Sequence, residues 1–375
     1  MKVLQLNMHR KGGWGGQPNR VLAESIEVRA RGHEVVIGGP HPNELCVRAS
    51  AQGFDVFDDL ALKTGLPSLS DVRKLRRYIL DNDIDLVHTH GSQDTWAAAL
   101  ALRGMRGNVG FVRSRHYSYR IATHVFNRWL YGRMDHVIVV TPQVGEYIVS
   151  LELKTADDIT SVYSVPDFER FRPDIDSEPL RSELGLSPEE QVVVCAARLA
   201  PEKGHRTLLQ AFALVRKDLS AVRLVLAGKG GERANLEELA QELGIGSSVI
   251  FAGFRTDVEK FDALADVFCI TPVDGEAVCT SALEAFSTET PVVATDLCGV
   301  RESVIDGETG FLLDVGDVEG VAAALVRLLG DGSLCRDMGK RGRELVTLKF
   351  SVEQLGSRTV QVYEKVMSSK RVTNS

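Results

Sequence analysis

Long apolar segments are missing from this 375-residue sequence. The opening run MKVLQLNM is a short strand pattern with no long hydrophobic region behind it, so we expect neither a signal peptide nor a transmembrane span. The predicted localisation is therefore cytoplasmic. The net charge of -7 argues against a generally basic nucleic-acid-binding protein, and we expect no nucleic-acid partner.

Paired cysteines are missing as well. The six cysteines are scattered, with no CxxC pair and no nearby histidine spacing, so we expect structural thiols rather than disulfides. His88 and His90, in HTHG, have alternate-strand spacing that puts both on one face, yet the sequence offers no evident third ligand for zinc. We predict packed histidines, with a pair that lines a cleft as the alternative, and no bound metal.

Short β-branched runs alternate with amphipathic helical segments along most of the chain. KVLQLNM, NRVLAESIEVRARG and HEVVIGG begin the series, and DIDLVHTH, VGFVRSRH and HVIVVTP are later strand candidates that end in polar residues. This alternation is typical of a parallel sheet covered by helices. Ligands of such sheets usually lie at the polar strand ends.

A segment rich in proline and charge, YSVPDFERFRPDIDSEPLRSELGLSPEE, interrupts the alternation, and a second series starts at QVVVCAARLA. We predict an α/β protein with two Rossmann-like, doubly wound domains facing a cleft. The predicted N-terminal domain covers residues 1–165 and the C-terminal domain residues 166–350. Residues 351–375 form a predicted helix that could dock back on the N-terminal domain.

Two cations flank a predicted strand-to-helix loop in VVVCAARLAPEKGHRTLLQAF. Arg198 lies at the strand end, and Lys203 lies where the helix is expected to begin. A lysine at a helix N-terminus opposes the helix dipole, so the placement favours an anion between the cation and the free amides. A solvated loop pair is the alternative explanation.

The segment GEAVCTSALEAF, residues 275 to 286, carries two glutamates across a predicted loop and helix. If the helix begins near Val278, Glu284 lies roughly 9 Å along it, while Glu276 stays in the loop. The first helix amides would form another anion site. Carboxylates accept hydrogen bonds from hydroxyls, so the pattern favours polyol groups on either side of a diphosphate, as in a nucleotide sugar. A cap glutamate and a surface glutamate are the alternative.

Glycines follow the first strand in KGGWGGQPNRVL, where small residues let backbone approach a ligand closely. The spacing is not a GxGxxG fingerprint. AGKGGER, after a later strand, is explained about as well by a turn that packs the following helix.

Together these residues resemble glycosyltransferase family 4, the retaining nucleotide-sugar transferases with the GT-B fold. The resemblance is carried in order by ARLAPEKGHRTLLQAF, LVLAGKGGERANLEELAQELGI, VIFAGFRTDVEKFDALADVFCITP and EAVCTSALEAFSTETPVVATDLCGVRE. It implies that Arg198 and Lys203 hold the donor diphosphate. It also implies that amides at Cys279 and Thr280 add to this cradle and that Glu284 binds the ribose.

The resemblance assigns the reaction centre as well. Glu276 would lie by the transferred sugar, and His116, in RSRHYSY, would face the donor sugar. Gly15 and Gly16 would approach the donor phosphates or the acceptor, and Arg255 lies where the family holds the base. The predicted catalytic set comprises His116, Arg198, Lys203 and Glu276. One departure from the family pattern is Glu276 followed by alanine, where glycine is usual.

The activity implied is transfer of a sugar, with retained configuration, from a nucleotide-diphosphate sugar to a hydroxyl of a glycan or glycolipid. The expected setting is synthesis of bacterial polysaccharide, lipopolysaccharide or glycolipid. We expect no metal and no cofactor besides the donor. The preferred donor is a UDP-sugar, with a GDP- or ADP-sugar as the alternative. The alternatives are a nucleotide-sugar epimerase and a noncatalytic sugar-nucleotide-binding protein.

Acidic residues are absent between residues 101 and 133, a stretch with seven arginines and interleaved aromatics. This composition favours contact with an anionic glycolipid or with an anionic membrane surface, and thus peripheral association with the inner face of a membrane. A solvated helix face with aromatic core contacts is the alternative. The arginines are Arg103, Arg106, Arg113, Arg115, Arg120, Arg128 and Arg133.

Overall fold

The computed structural model describes residues 1–8, 16–41, 43–61, 67–105, 109–116, 120–274, 279–297 and 299–374. The chain divides into two compact units. Unit 1 comprises Met1–Ser164 together with Val352–Ser375, and unit 2 comprises Val165–Ser351. Within the described ranges, no helix is long and apolar enough to cross a membrane.

The described residues of unit 1 form a seven-stranded sheet in the order β3-β2-β1-β4-β5-β6-β7, and every neighbouring pair is parallel. Its strands are β1 (Lys2–Leu6), β2 (Glu34–Pro40), β3 (Asp55–Leu60), β4 (Leu86–Thr89), β5 (Gly110–Arg115), β6 (His136–Val139) and β7 (Ile159–Ser161). The strand order reverses between β1 and β4, so their carboxyl ends mark the place where such sheets bind ligands.

Helices cover this sheet, and several begin at a side-chain cap. They are α1 (Gly16–Ala30), α2 (Glu44–Ala51), α3 (Leu69–Asp81), α4 (Ser92–Ala101), α5 (Val125–Arg133) and α6 (Pro142–Ser150). In α3, for example, the Ser68 hydroxyl accepts from the Asp71 amide at 3.0 Å. Leu75 and Ile79, four residues apart, then lie buried on one face.

The described residues of unit 2 form a six-stranded parallel sheet in the order β10-β9-β8-β11-β12-β13. The strands are β8 (Gln191–Ala196), β9 (Val222–Ala227), β10 (Val249–Gly253), β11 (Val267–Ile270), β12 (Val292–Thr295) and β13 (Gly310–Leu313). The helices are α7 (Glu178–Glu183), α8 (His205–Asp218), α9 (Arg233–Glu242), α10 (Val258–Leu264), α11 (Thr280–Ser287), α12 (Val318–Gly330) and α13 (Gly332–Lys349). Here the order reverses between β8 and β11. The predicted α/β class with two doubly wound sheets is confirmed.

The last helix, α14 (Val352–Asn374), belongs to unit 1 and packs on α1 and β5. Gly356 permits the close approach to α1, because a Cβ at this position would lie 2.5 Å from the Cβ of Glu27. Tyr363 is fully buried. A helix distant in sequence therefore contributes a side chain to the interior of unit 1.

Candidate active site

In unit 2, the loop after β8 carries both predicted phosphate-binding cations. Arg198 is exposed, and its Nη2 donates to Glu202 Oε1 at 2.6 Å. Lys203 ends a short 3-10 turn, and α8 begins only at His205. The predicted helix start at Lys203 was therefore wrong by two residues, because Gly204 adopts a left-handed conformation with φ 66° and separates the turn from the helix.

Gly204 also joins this loop to the loop after β11. A Cβ at Gly204 would lie 1.7 Å from the Thr271 carbonyl oxygen, and the Thr271 hydroxyl donates to the Gly204 carbonyl at 2.9 Å. The Val273 amide donates to the Glu202 carbonyl at 2.9 Å. Two loops at the switch point of the sheet are thus tied together, and the second one leads towards α11.

The glycines of AGKGGER pack against the loop that carries Arg198. Cβ atoms at Gly228 and Gly230 would lie 1.9 and 2.0 Å from the carbonyl oxygens of Ala197 and Leu199. The Leu199 amide donates to the Lys229 carbonyl at 3.2 Å. These two glycines are therefore required for backbone packing beside the anion loop.

Helix α11 begins at Thr280, with the buried Cys279 at its N-cap. The expected start near Val278 was wrong, because Cys279 has φ -83° and ψ 82°, which is not helical. Glu284 consequently lies about 6 Å along α11. Glu276 falls outside the described residues, so its predicted place beside the transferred sugar stays a prediction.

Burial raises the pKa of Glu284 to about 7. Arg170 acts in the opposite direction, whereas Asp167 and Glu259 raise the pKa further. Arg170 is already engaged, since its Nε donates to Glu259 Oε2 at 2.8 Å. Glu284 therefore titrates closer to neutral pH than an ordinary glutamate.

Asp262, on α10, is a fully buried acid in this region and was missed from the sequence. Its side chain is fully buried, and neither carboxyl oxygen has a hydrogen-bond partner among the described residues. Burial, and after it the charge of Glu284, raises the pKa of Asp262 well above its ordinary value. Asp262 thus keeps its proton to a higher pH than an ordinary aspartate, beside the carboxylate predicted to bind ribose.

Arg255, the predicted neighbour of the base, is held by two carboxylates. Its Nε and Nη2 donate to Asp257 at 2.8 Å each, and its guanidinium also bonds Glu183. These hydrogen bonds raise its pKa. Its side chain fixes the loop before α10, and its contact with a base remains a prediction.

In unit 1, His116 follows β5 and stacks on His90 with ring centroids 5.3 Å apart. His116 Nε2 lies 3.0 Å from His90 Nδ1, and His90 Nε2 lies 2.5 Å from Gln5 Oε1. An amide oxygen only accepts, so His90 carries its proton on Nε2 and accepts from His116 Nε2–H. His116 Nδ1, with no partner among the described residues, then presents a lone pair.

Burial lowers the pKa of both His90 and His116 well below the ordinary value. For His116, the charges of Arg20 and His88 act in the same direction. Both imidazoles are consequently neutral at neutral pH. The chain of hydrogen bonds therefore sets a tautomer rather than a charge.

Behind this pair lies a buried polar network that the sequence did not reveal. Gln5 Nε2 donates to Glu24 Oε1 at 3.1 Å and to the Tyr363 hydroxyl at 3.0 Å. His88 Nδ1 lies 2.7 Å from the same hydroxyl and 3.1 Å from Glu24 Oε1. Burial favours the protonated form of Glu24, but its contacts with the histidines and Arg20 prevail and lower its pKa to about 2.

The sequence missed one candidate metal ligand here. Glu24, on α1, joins His88 and His90, and the ligand atoms of these three residues lie within 4.8 Å of one another. The histidine nitrogens and Glu24 Oε1 already have hydrogen-bond partners, and Arg20 Nε lies 3.8 Å from Glu24 Oε2. A divalent cation would have to displace these bonds beside a guanidinium. The expected absence of a metal stays a prediction.

A pocket of about 600 Å³ opens beside His116, at the carboxyl ends of β4 and β5. It is lined by the start of α4, the last residues of β5 and one side of α5. Gly16 begins α1, and Gln17, the next residue, lines the pocket and donates to the His90 carbonyl at 2.7 Å. Gly15 lies outside the described residues.

The arginine-rich stretch divides between the interior and the surface. Arg113 is buried and Arg115 partly buried, whereas Arg120 and Arg128 are exposed. Helix α5 also exposes three apolar side chains to solvent, Val125 (71%), Phe126 (66%) and Trp129 (39%). One side of this segment therefore lines the pocket, and the other side is exposed to solvent. Arg106 lies outside the described residues.

Two family models match the chain, one in each part. The model of Glycosyltransferase Family 4 matches residues 14–170, and that of Glycosyl transferases group 1 matches residues 176–345. The structure of Anabaena Alr3699/HepE in complex with UDP superposes with a TM-score of 0.84 at 21% identity, covering 97% of this chain and 100% of that one. The architecture is that of the GT-B glycosyltransferases.

Curated relatives agree with this class. A GDP-mannose-dependent alpha-(1-6)-phosphatidylinositol monomannoside mannosyltransferase of Mycobacterium tuberculosis is 30% identical over 332 residues, which cover 82% of this chain and 86% of the relative. A D-inositol 3-phosphate glycosyltransferase of Nocardia farcinica is 30% identical over 370 residues, covering 88% and 80%. The chain belongs to glycosyltransferase family 4, group 1, and glycosyl transfer is its class of activity.

Proposed function

We propose that the protein is a retaining glycosyltransferase that moves a sugar from a nucleotide-diphosphate sugar to a hydroxyl of a glycan or glycolipid. The observation that carries the proposal is the junction of the Lys203 loop with the loop leading to α11. It places a cationic loop beside the start of a helix that bears Glu284. Cations and helix amides suit a diphosphate, and a carboxylate suits the hydroxyls of a ribose.

The donor is proposed to be a UDP-sugar, with a GDP-sugar as the next candidate. The Anabaena neighbour has been solved with UDP and with UDP-glucose, and the mycobacterial relative is named as GDP-mannose-dependent. Arg198, Lys203 and the amides at Cys279 and Thr280 would neutralise the departing diphosphate. No metal or further cofactor is then needed.

His116 is proposed to accept a hydrogen bond from a sugar hydroxyl through the lone pair on Nδ1. The neutral ring adds no positive charge near the bond that breaks, where positive charge develops on the sugar. The proposed mechanism retains configuration through attack of the acceptor hydroxyl on the face that the diphosphate leaves. In that mechanism a leaving-group oxygen takes the acceptor proton.

The acceptor is proposed to lie at a membrane surface. Arg128 and the exposed apolar side chains of α5 combine positive charge with apolar contact, which favours an anionic lipid headgroup layer. Co-sedimentation with phosphatidylglycerol vesicles tests this proposal. The double variant F126S/W129S should lose binding to these vesicles. Unchanged vesicle binding by this variant would contradict the proposed membrane contact.

The test of the transfer itself is turnover of radiolabelled UDP- and GDP-sugars with a bacterial glycolipid extract. NMR of the purified product should give the same anomeric configuration as in the donor. The Lys203→Ala variant should lose turnover, and the Glu242→Gln variant, with an exposed carboxylate on α9, should keep it. An inverted product would overturn retention, and nucleotide binding without any sugar release would overturn the proposed activity.

A further inference from the structure

Arg113 is a buried cation that interacts electrostatically with Asp94 but forms no direct ion pair with it. The residue is only 9% exposed. Among the described residues, its side chain makes neither a hydrogen bond nor an ion pair. The ring of Tyr131 lies 5.6 Å from its guanidinium carbon. Buried guanidinium donors without hydrogen-bond partners are costly, so the guanidinium is placed for a group that is bound from outside.

The pocket beside His116 is where this guanidinium lies. Arg113 and Arg115 alternate along β5, so both side chains project from the same face of the sheet into the pocket wall. Arg120 lines the pocket and is exposed. Three arginines therefore border one space.

The pocket has little negative charge to offset these arginines. Among its described lining residues Asp94 alone is acidic. The oxygens of Asp94 accept from the backbone amides of His90, Gly91 and Thr95 at 2.7–3.0 Å. Asp94 thus serves as a cap for α4, and its single charge, which also acts on Arg113, faces three arginines.

Helix α4 begins in the same wall at Ser92, and Asp94 in its first turn caps it and offsets the positive end of the helix dipole. The guanidinium of Arg113, which donates no hydrogen bond among the described residues, supplies a directed pair of donors in the same pocket. These buried donors, together with three arginines against one acid, favour a doubly charged anion.

We propose that this pocket binds a phosphate group carried by the acceptor. The inference rests on the proposed transfer to an acceptor hydroxyl, because His116, predicted to face the reaction centre, lines the same pocket. A volume of about 600 Å³ exceeds what a phosphate fills, and the remaining space suits the polyol that carries it. The arginines then select acceptors by charge.

The first experiment titrates inorganic phosphate into the 375-residue chain while 1H–15N spectra record the imidazole signals of His90 and His116. The protein carries the Lys203→Ala substitution, so that phosphate binding at the Lys203 loop of unit 2 does not contribute to the measured shifts. The His116 signals should shift saturably. In Arg113→Met, which keeps an apolar stem of similar length, affinity for phosphate should fall about tenfold or more.

Two further variants keep the test independent of folding. Arg120→Gln changes an exposed pocket residue and should weaken phosphate by a few-fold, whereas Arg103→Gln, exposed and outside the pocket lining, should leave it unchanged. Chloride at equal ionic strength should produce no saturable shift. Absence of a His116 shift, or an equal shift in Arg113→Met, would overturn the proposal.

The source of the phosphate is resolved by competition. Glucose 6-phosphate and phosphatidylglycerol vesicles are each added against inorganic phosphate, with phosphatidylcholine vesicles as control. Displacement by the sugar phosphate assigns a soluble acceptor, and displacement by the anionic vesicles assigns a lipid headgroup. Failure of both to displace phosphate would overturn its assignment to an acceptor.

Nucleotide binding separates this inference from the proposed function. Arg113→Met on the otherwise unchanged chain should keep nucleotide-induced stabilisation while losing the phosphate response of unit 1. The unsubstituted chain could fail to bind any nucleotide while its His116 signals still respond to phosphate. That result would contradict the donor site in unit 2 and would leave the phosphate pocket of unit 1 supported.

Discussion

The ionisation of Glu284 should control donor affinity. In the ligand-free fold its pKa is raised from the ordinary value of 4.5 to about 7, with burial as the main cause. The ionised carboxylate can accept a strong hydrogen bond from each ribose hydroxyl through separate oxygens, whereas the protonated acid carries an O–H on one oxygen and accepts more weakly. Binding therefore requires loss of a proton, and affinity should fall about tenfold per pH unit below pH 7.

The same ionisation should weaken the ligand-free fold. Between pH 4.5 and 7 the folded state retains a proton that the unfolded state has lost, so stability decreases as pH rises through this range. At 1.36 kcal/mol per pH unit, the loss is about 3 kcal/mol above pH 7. Glu284→Gln should therefore raise the free energy of unfolding at pH 8 by up to about 3 kcal/mol while it weakens donor binding.

The assay is calorimetric titration with the nucleotide sugar that binds, from pH 5.5 to 8.5. Its diphosphate is esterified at both ends, so the ligand itself does not titrate near pH 7. In the unsubstituted protein, binding at pH 6 should release close to one proton, measured from the difference between buffers of unlike ionisation enthalpy. Glu284→Gln should bind more weakly and with no pH dependence.

Glu242→Gln is the matched control, because this carboxylate is exposed on α9. It should change neither affinity nor stability. The reasoning is refuted if the affinity of the unsubstituted protein is constant from pH 5.5 to 8.5. Unaltered donor binding by Glu284→Gln would refute it equally.

Three further substitutions test the remaining parts of the site. Gly204→Ala places a Cβ 1.7 Å from a carbonyl oxygen in a backbone with φ 66°. Urea unfolding should therefore show a loss of free energy of unfolding above about 2 kcal/mol. The control Gly231→Ala, with open space around it, should be nearly neutral. Gln5→Met removes the acceptor that fixes the His90 tautomer, so the imidazole 15N shifts should change, with a stability loss of about 1–3 kcal/mol. Burial lowers the pKa of His205 to about 4, so the free energy of unfolding falls as pH drops from 6.5 to 4. In His205→Leu this fall should be smaller, by up to about 3 kcal/mol.

Each of these substitutions has an outcome that would contradict its basis. Unchanged stability in Gly204→Ala would mean that the loop relaxes freely around the added methyl group. Unchanged 15N shifts in Gln5→Met would show that another group sets the tautomer. An equal loss of stability at low pH in His205→Leu would assign the acid sensitivity to other residues, such as His136, whose pKa burial also lowers to about 4.

The sheets were predictable because buried parallel strands have a strong sequence pattern. QVVVCA has one polar residue in six and KVLQL two in five, and both form strands with most residues buried. The ends of these strands indicated where polar side chains would gather, and His116 does follow β5. Helix starts were less predictable, since the left-handed Gly204 moves the start of α8 beyond Lys203.

The interior of the unit 1 site was not predictable from local pattern. Tyr363 contacts His88 across 275 positions of sequence, and Gln5 reads as an ordinary strand residue. Glu24 reads as part of a helix face, yet it is fully buried. Arg113 belongs to the arginine-rich stretch, and only its burial distinguishes it from exposed arginines such as Arg120 and Arg128.

The central claim is that unit 2 binds a nucleoside diphosphate, and thermal unfolding with UDP, GDP, ADP and CMP tests it most directly. A ligand at about 100 times its dissociation constant should stabilise the protein by roughly 2.7 kcal/mol. The account predicts a selective response to UDP or GDP that is lost in Lys203→Ala. Absence of stabilisation by all four nucleotides, or an undiminished response in Lys203→Ala, would contradict it.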